Sequence, residues 1–458
     1  MTALLWLRRD LRRGDHPALL AARDASDDKG NGDLCVLFVV DPYLWERGGP
    51  VRRAWLAASL EAAQEDFDGR LVIRHGEPAK VVPAVATEVG AGSVHVTREV
   101  TPAGRRRDKQ VQDALADKDV EWVETGTPYA VGPGLVRNGS GDPYKVYTPF
   151  HRAWREHGWP EPAAYPRSLD LVEADSHQKA LDMLEKALGE DDLPQMPEAG
   201  EKAALARWRD FRDEALDDYD GDRDKPAIDG TSRLSAYLKI GAIHPRTILA
   251  DLADKRSQGA QTFEQEIAWR EFYGDVLAQN PRSAWHDLRD ALPGMRYDEP
   301  QDAIEAWKDG RTGYPIVDAG MRQLREVGWM HNRVRMITAS FLTKDLHVWW
   351  PTGARWFLDR LVDGDIASNN HGWQWVAGTG TDASPYFRVF NPVTQGEKFD
   401  PSGDYVRRWV PELRHLSGKS AHQPWKADDG YEHDYPPPIV DHAEERKEAL
   451  SRYDAARR

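Results

Sequence analysis

The chain has 458 residues, 40% of them hydrophobic and 30% charged, so it is long enough for two or more globular domains. No apolar run approaches the ~20 residues of a membrane helix, and a single cysteine, Cys35, excludes intrachain disulfides and a cysteine-based metal cage. Arg8, Arg9 and Asp10 end the apolar N-terminal stretch before a signal-peptide core could form, which predicts a cytoplasmic protein with no membrane segment.

The formal net charge of −15 argues, taken alone, against a nucleic-acid partner. The segment 321–355 differs, because six basic residues and two acidic ones give it a net charge of +4. Acidic residues are concentrated elsewhere, in stretches such as Asp213–Asp224. This distribution predicts an acidic protein that has one basic face.

The first 125 residues alternate strand-like and helix-like patterns, which is typical of parallel α/β units. Helices are expected between the strands, for example over Val51–Phe67 and Arg105–Asp117. We expect a doubly wound, five-stranded parallel sheet with a ligand site at the carboxyl ends of its strands, although no Gly-x-Gly-x-x-Gly follows the first strand. The predicted strands are Ala3–Leu7, Leu34–Val40, Arg70–Arg74, Ser93–Thr97 and Glu121–Glu124.

Glycine and proline cluster between residues 129 and 197, which favours a long connector with little regular structure. Beyond residue 200 helical periodicity dominates to about Tyr405, and an irregular tail precedes a final charged helix from His442. We therefore predict an α/β domain at 1–128, a linker at 129–198 and a large all-helical domain at 199–458. Twelve of the 18 tryptophans lie in that helical part, more than a core usually needs.

The segment Thr231–Ser235 is predicted to start a helix that continues through Leu238. Its hydroxyls and free backbone N–H groups suit a phosphate, although an ordinary helix cap is the preferred interpretation of this motif alone.

Another helix is predicted over Glu264–Gln279. A carboxylate, an indole and a guanidinium on one helix face are poor core material and suit a pocket that binds a planar ring. The residues that share this face are Glu266, Trp269, Arg270 and Tyr273.

Trp329 to Met336 opens a further predicted helix. The Asp-Gly-Asp turn at 363–365 lacks the additional acidic ligands of a calcium loop, so a flavin edge is the better interpretation. Asp363 would pair with Arg335, and Asp365 would accept a hydrogen bond from the ring N3–H. No metal site is predicted. The residues on one face of this helix are Asn332, Arg335 and Met336.

At these positions the sequence resembles the photolyase/cryptochrome family, specifically class I photolyases that act on cyclobutane pyrimidine dimers. The resemblance implies a light-driven DNA-repair lyase that works as a monomer on single- or double-stranded DNA. It extends from Trp6–Arg12 to Pro438–Val440 and is densest over Trp269–Tyr273, Gly313–Arg322, Gly328–Asp345 and Asp363–Asp400.

The resemblance implies a noncovalent, U-shaped FAD in the helical domain. Asn369 matches the residue that faces flavin N5, and because asparagine cannot protonate that atom, it suits the anionic reduced flavin that donates an electron in repair. By motif position the FAD contacts would be Tyr219, Thr231, Ser232, Arg233, Leu234, Ser235, Arg270, Asn332, Arg335, Asp363, Asp365 and Asn369.

The resemblance also implies a pocket for a dimer flipped out of the DNA. Trp269 and Trp375 would enclose the cyclobutane ring, while Glu266 would hydrogen-bond a thymine and stabilise the radical anion. Asn332 and Met336 would complete the catalytic set. An electron would pass from the excited reduced flavin to the dimer and back, so the net redox change is zero. The arginines expected to bind flanking phosphates are Arg223, Arg333 and Arg388.

Relatives of this kind reduce their flavin through three tryptophans that lead to the surface. Trp373 and Trp350 match the inner and middle positions, but the outer position falls on Tyr297. Either this tyrosine ends the electron-transfer path, or a nearby tryptophan such as Trp349 or Trp356 does.

A second, light-harvesting chromophore is also implied by the resemblance. The loop Arg98–Asp108 is similar to that of photolyases that bind 8-hydroxy-5-deazaflavin, and Arg52 and Glu99 are the expected antenna contacts. Ala103 departs from the usual tyrosine, so 5,10-methenyltetrahydrofolate and an empty antenna site remain the alternatives.

Two other activities fit the same family. Enzymes that repair (6-4) photoproducts carry a histidine-rich string where this chain has His331–Met336, and the histidines that protonate that lesion are absent. A cryptochrome photoreceptor without repair activity is the second alternative. Against it stand Glu266, Asn332, Met336 and Asn369.

Overall fold

The computed structural model describes residues 2–26, 33–290, 292–381 and 388–456. Its N-terminal part contains the strands β1 (Thr2–Leu7), β2 (Leu34–Val40), β3 (Leu71–His75), β4 (Ala91–Val96) and β5 (Glu121–Glu124). All pairings are parallel, in the order β3-β2-β1-β4-β5, which confirms the predicted doubly wound sheet. The direction of winding reverses between β1 and β4, so a ligand crevice is expected where these two strands end.

The strands follow from their sequences. All seven residues of β2 are buried, because helices cover both faces of a central parallel strand. Cys35 lies in this strand, and burial raises the pKa of its thiol to about 12. Proline, whose fixed φ suits the first helical turn, begins each of the five helices that the structure describes in this part. They are Pro17–Ser26, Pro42–Glu46, Pro50–Asp66, Pro78–Glu88 and Pro102–Ala116.

The connector was expected to have little regular structure; most of it is irregular, but two helices depart from this prediction. It contains the helices Tyr147–His157 and Gln178–Leu188. In the first of these, Tyr147, Phe150 and Trp154 are spaced so that they share one face, and all three are buried. This apolar face docks the connector against the helical part of the chain.

Beyond residue 198 the described residues form helices and no strand. Two helix starts differ from prediction: Ser235 rather than Thr231 begins the first, and His331 caps the second, which begins at Asn332. The tail after Tyr405 is also less irregular than expected. The α-helices are Glu201–Glu214, Tyr219–Asp222, Ser235–Ile240, Pro245–Leu252, Gln258–Gln279, Gln301–Asp309, Pro315–Val327, Asn332–Ser340, Trp350–Arg360, Ile366–Ala377, Pro392–Phe399, Asp404–Trp409, Lys419–His422 and His442–Ala456. Shorter 3-10 and π turns are Pro281–Ala284, Phe341–Asp345, Pro411–Leu413 and Pro424–Lys426.

The α/β and helical parts share one continuous hydrophobic core, in which Leu5 and Leu7 of β1 belong to the same cluster as Phe263 and Phe272. At the seam the backbones approach closely, because a Cβ on Gly241 would lie 2.0 Å from the carbonyl oxygen of Arg9. At this point the backbones of the two parts are therefore in direct contact, with no side chain between them.

The helices of the described ranges are all too short or too polar to cross a bilayer. Within the same ranges, no group of three or more histidine, cysteine, aspartate or glutamate side chains is arranged to hold a metal ion.

Candidate functional site

One side of the Gln258–Gln279 helix is only partly covered by the rest of the protein. Its first turn is held by Ser257, whose hydroxyl accepts a hydrogen bond from the Ala260 N–H at 3.2 Å. On the opposite side Ile267, Ala268 and Phe272 are buried in the core. The four residues expected on one face, Glu266, Trp269, Arg270 and Tyr273, are all half-buried on the open side.

Glu266 forms an ion pair with Arg223, whose Nη2 lies 2.8 Å from Oε1. Burial raises the pKa of Glu266, whereas the Arg223 guanidinium acts in the opposite direction. Arg223, expected to bind a phosphate, is thus neutralised by a carboxylate of the site.

Trp269 is held from behind by Tyr147, which sequence reasoning did not single out. The two rings are parallel within 7°, and their centroids are 3.6 Å apart. The Tyr147 hydroxyl also donates to the carbonyl of Gln265 at 2.8 Å, so both ends of this side chain are fixed. The helical spacing of Tyr147, Phe150 and Trp154 was the signal that could have revealed this support.

Asp363 joins three segments of the helical part. Its two oxygens accept hydrogen bonds from Arg335 at 3.1 and 2.8 Å, in the fork geometry of a strong ion pair. Oδ2 also accepts from the Ser235 hydroxyl at 2.6 Å. The structure thus brings together three residues that the sequence assigned to the FAD site.

Asp365 has more partners than expected. Its Oδ1 accepts from the N–H groups of Ala367 and Ser368 and so caps a helix, while its Oδ2 accepts from Nη2 of Arg9 at 2.7 Å. The basic side chains of Arg9, Lys239 and Arg270 outweigh the effect of burial and lower the pKa of Asp365 to about 2. Sequence reasoning missed the role of Arg9, because 356 residues separate it from Asp365.

Arg270 lies at the same seam. It donates to the carbonyl oxygens of Pro128 and Leu238 at 2.9 and 3.1 Å, and its guanidinium lies over the Tyr129 ring. Its role therefore includes holding the connector, beyond the FAD contact expected from the sequence.

The remaining expected site residues differ in exposure. Asn332 is exposed, Met336 and Trp375 are half-buried, and Tyr219 is buried with Arg223 over its ring. Asn369 donates from Nδ2 to the Ala354 carbonyl at 3.1 Å, which directs its amide oxygen away from that contact.

The Thr231–Leu234 segment is a loop, in which Arg233 has a φ of 53°, a left-handed conformation that non-glycine residues rarely adopt. Arg233 is paired with Asp229 at 2.9 Å and lies over the Trp329 ring. Arg388 is exposed.

A line of aromatic rings leads toward the surface. Trp350 is buried and donates from Nε1 to Asp287 at 2.6 Å, and Trp349 lies next to it with a centroid separation of 6.4 Å. The Tyr297 ring is 6.4 Å from Trp349. Since Trp349 is 38% exposed, the line reaches solvent through a tryptophan that the sequence named only as an alternative.

A cavity lies where β1 and β4 end, as the sheet topology predicts. Glu99 belongs to its wall, but its Oε1 accepts from the N–H groups of Val100 and Thr101 at 2.7 and 2.9 Å. Arg52 does not line this cavity and donates to the Arg47 carbonyl at 2.8 Å. The lining residues are Arg8, Arg9, Asp10, Thr97, Arg98, Glu99 and Pro128.

Comparisons with known proteins agree with this architecture. A family model described as DNA photolyase matches residues 3–167, and one described as the FAD binding domain of DNA photolyase matches residues 263–455. The deoxyribodipyrimidine photo-lyase of Halobacterium salinarum is 40% identical over 99% of both chains. The chain belongs to the DNA photolyase family.

Two solved structures of this family are similar along their whole length. The class III photolyase from Agrobacterium tumefaciens has a TM-score of 0.90 and 38% identity, covering 99% of this chain and 97% of its own. The photolyase from Sulfolobus tokodaii, described with two FAD molecules, has a TM-score of 0.84 and 29% identity, covering 99% of this chain and 100% of its own.

The donors and acceptors of the site suit the FAD of the photolyase family. A flavin ring has carbonyl oxygens and ring nitrogens at its edge, and the amides of Asn332 and Asn369 with the Arg335–Asp363 pair offer both donors and acceptors to them. The adjoining Trp269 offers an aromatic surface, and Glu266 lies one helical turn before it.

We expect the stability of this photolyase-family chain to fall as the pH decreases from about 6.5 to about 4. Burial is the largest cause that lowers the pKa values of His244, His331 and His371 to about 4, so the unfolded chain binds protons that the folded chain excludes. The stabilisation is complete above the histidine pKa of the unfolded chain, near 6.5, and is lost as the pH falls toward the pKa of the folded chain. The loss in the free energy of unfolding is on the order of 3 kcal/mol per histidine. Urea midpoints should therefore decline as the pH is lowered from about 6.5 to about 4; a profile without a decline in this interval would contradict the prediction.

Proposed function

We propose that this protein repairs cyclobutane pyrimidine dimers in DNA in a light-driven reaction that uses reduced FAD. The observation that carries the proposal is that Glu266 and Trp269 lie side by side on the open side of one helix, in a chain 40% identical to a deoxyribodipyrimidine photo-lyase. A carboxylate beside an aromatic wall suits a flipped pyrimidine pair, because the wall packs against the apolar ring and the carboxyl group hydrogen-bonds the base edge.

Reduced FAD supplies, when bound and excited by blue light, the electron that opens the cyclobutane ring. Trp269 and Trp375 enclose the lesion, Asn332 and Met336 line it, and Glu266 bonds a thymine and stabilises the negative charge that develops there. The predicted FAD contacts hold the ring beside this pocket, with the anionic form favoured by Asn369. The arginines proposed to meet the phosphates are Arg223, Arg333 and Arg388.

The proposal is tested with purified protein, dimer-containing DNA and blue light, with dark samples as controls. Restored DNA and release of FAD on denaturation are the expected results, and Glu266→Gln should keep FAD and DNA binding but lower repair per absorbed photon. A cryptochrome photoreceptor, the alternative function, would respond to light without restoring DNA. Bound FAD with no repair under any illumination would contradict the proposal.

A light-harvesting chromophore is a second part of the proposal. We place it beside Glu99, at the ends of β1 and β4, with 8-hydroxy-5-deazaflavin as the first candidate and 5,10-methenyltetrahydrofolate as the second. The cavity there has a volume of about 10 Å³, room for one water molecule, so the lining side chains must move apart to admit either chromophore. Arg52 lies outside that lining, so its expected contact needs a rearrangement of its bond to Arg47. Mass spectrometry of chromophores released from protein purified from its own host distinguishes the two candidates from an empty site.

The electron-transfer path gives a further testable prediction. We propose that Trp373, Trp350 and Tyr297 take part in it, with Trp349 between the last two, because Tyr297 contacts Trp349. Both Trp349→Phe and Tyr297→Phe should slow the photoreduction of oxidised FAD while leaving repair by pre-reduced protein unchanged. Transient absorption after excitation of the oxidised flavin checks this. Trp356→Phe is the matched control, and a larger effect in the control than in Trp349→Phe would rule out the Trp349 route.

We also propose the remaining features expected from the sequence. The protein acts as a cytoplasmic monomer on single- or double-stranded DNA, with domain boundaries at 1–128, 129–198 and 199–458. Of the two helices within 129–198, Tyr147–His157 then docks the linker on the helical domain and Gln178–Leu188 docks it on the α/β domain. Light scattering of the purified chain, with and without a short dimer-containing oligonucleotide, tests the monomeric state.

A further inference from the structure

Two adjacent residues, Arg223 and Asp224, each form an ion pair with an oppositely charged side chain, and the two partners lie on different helices of the site. Arg223 pairs with Glu266 of the Gln258–Gln279 helix at 2.8 Å. Asp224 pairs with Arg333 at the start of the Asn332–Ser340 helix, with an Nη2–Oδ2 distance of 2.7 Å. Two of the three arginines proposed to bind DNA are therefore already neutralised within the protein.

The contact between Asp224 and Arg333 has the geometry of a phosphate contact. Nε and Nη2 of Arg333 donate to the two carboxylate oxygens at 3.2 and 2.7 Å, so the planar fork of the guanidinium is occupied. A phosphate would use the same fork, because two oxygens of either anion match two parallel N–H groups. A DNA phosphate that binds this edge of Arg333 must displace Asp224.

Arg333 does not depend on Asp224 for its position. Its guanidinium lies over the Phe399 ring at 4.4 Å, and Nη1 donates to the sulfur of Met336 at 3.8 Å. The Arg333 side chain is 20% exposed and Asp224 is 39% exposed, so the carboxylate can move into water at little cost in hydration. Removing the Asp224 charge should therefore free the arginine rather than disorder it.

Other acids of the 213–224 stretch have different partners. Asp220 accepts from the Thr262 hydroxyl and Asp222 from Lys225, whereas Asp218 makes no capping hydrogen bond and is exposed. Asp218 therefore provides a matched control, because it carries the same charge on the same segment and lacks the contact with Arg333.

We propose that Asp224 is an internal competitor for DNA that sets how tightly the protein holds a phosphate backbone. The inference rests on the proposed function and concerns the regulation of the same site. Displaced Asp224 becomes a free anion that attracts a cation from solution, so fewer ions are released in total when DNA binds. The wild-type protein should accordingly bind undamaged DNA weakly and with a shallow salt dependence.

The test measures binding of a fluorescent undamaged duplex in the dark, by anisotropy, over a series of salt concentrations. Asp224→Asn should tighten binding about 3- to 10-fold at low salt and steepen the log–log salt slope by about 0.9. Asp218→Asn should change the affinity less than about twofold, as expected for a screened surface charge. In an Arg333→Ala background, Asp224→Asn should have no effect beyond that of Asp218→Asn.

Weaker binding by Asp224→Asn, or equal effects of the Asp224 and Asp218 variants, would overturn the inference. Blue-light repair is assayed on the same wild-type sample, so the two proposals separate. If the wild type repairs DNA but Asp224→Asn and Asp218→Asn change the DNA affinity equally, only the competitor role of Asp224 is contradicted. Absence of any DNA binding and repair contradicts the proposed function and the inference with it.

Discussion

Glu271→Ala is expected to destabilise the folded chain more than any other single substitution proposed for this protein. Glu271 is 2% exposed, and its carboxylate accepts hydrogen bonds from the N–H groups of Ala130, Val131 and Gly132 and from the indole of Trp154. Removing it leaves four buried donors without an acceptor. The expected loss is about 3 to 5 kcal/mol in the free energy of unfolding.

The effect should be concentrated where the connector meets the helical part. Residues 130–132 lie at the start of the connector and Trp154 lies in its first helix, so both would detach together. Limited proteolysis should therefore cut the variant first within 129–198, at a temperature where the wild type is resistant. Thermal unfolding followed by tryptophan fluorescence gives the shift of the midpoint.

Glu264→Ala is the matched control on the same helix. Glu264 pairs at 3.0 Å with Arg155, whose side chain is 61% exposed, so its loss should cost less than about 1 kcal/mol. Equal midpoints for the two variants would show that the four donors around Glu271 find other partners, in contradiction of the prediction.

The sequence predicted the sheet closely because each strand there has a local signature. A parallel strand covered on both faces appears as a continuous apolar run, as in Leu34–Val40, and the structure begins and ends that strand at the same two residues. Helical periodicity likewise predicts that Glu266 and Trp269 share one helix face.

Contacts between distant segments left no such signature. Nothing in the periodicity around Arg9 indicates that it meets Asp365, and nothing around Asp224 indicates Arg333, because these pairs depend on how the helices pack. Apart from Asp363, which was expected to pair with Arg335, the charged residues near the site were therefore assigned to the ligand alone. In the structure several of them, such as Arg270 and Arg223, also bind one another or the backbone.

The electrostatic consequence is a site whose charges are largely balanced in the absence of DNA. Glu266, Asp224, Asp363 and Asp365 each face an arginine. Two of these arginines, Arg333 and Arg335, belong to segment 321–355, which therefore presents less charge than its number of basic residues suggests. At the neutralised arginines, an acidic protein with such a site gains charge complementarity to DNA where an internal pair opens.

Asp363→Asn should sharply reduce the FAD that remains bound during purification, by about tenfold or more. Asp363 is 7% exposed and holds Arg335 and Ser235, two of the predicted FAD contacts, in a fixed arrangement. An amide offers one acceptor oxygen in place of two, and its NH2 group would face the Arg335 guanidinium. Arg335 would keep its bond to the Met330 carbonyl at 2.7 Å and at most one of its two bonds to residue 363, so it would no longer be held firmly in the position from which it can contact the ring.

The flavin-to-protein ratio from absorption, and the dissociation constant for added FAD, measure this effect. Asp309→Asn is the control, since Asp309 and Arg325 form a pair at 3.3 Å in which both side chains are 50% exposed. That variant should retain FAD as the wild type does, because an exposed pair contributes little. Circular dichroism should show an unchanged helical content in both variants, so that lost FAD is not a result of unfolding. Full FAD occupancy in a folded Asp363→Asn protein would show that Asp363 does not organise the cofactor site, and Ser235→Ala would then be expected to have no effect on FAD either.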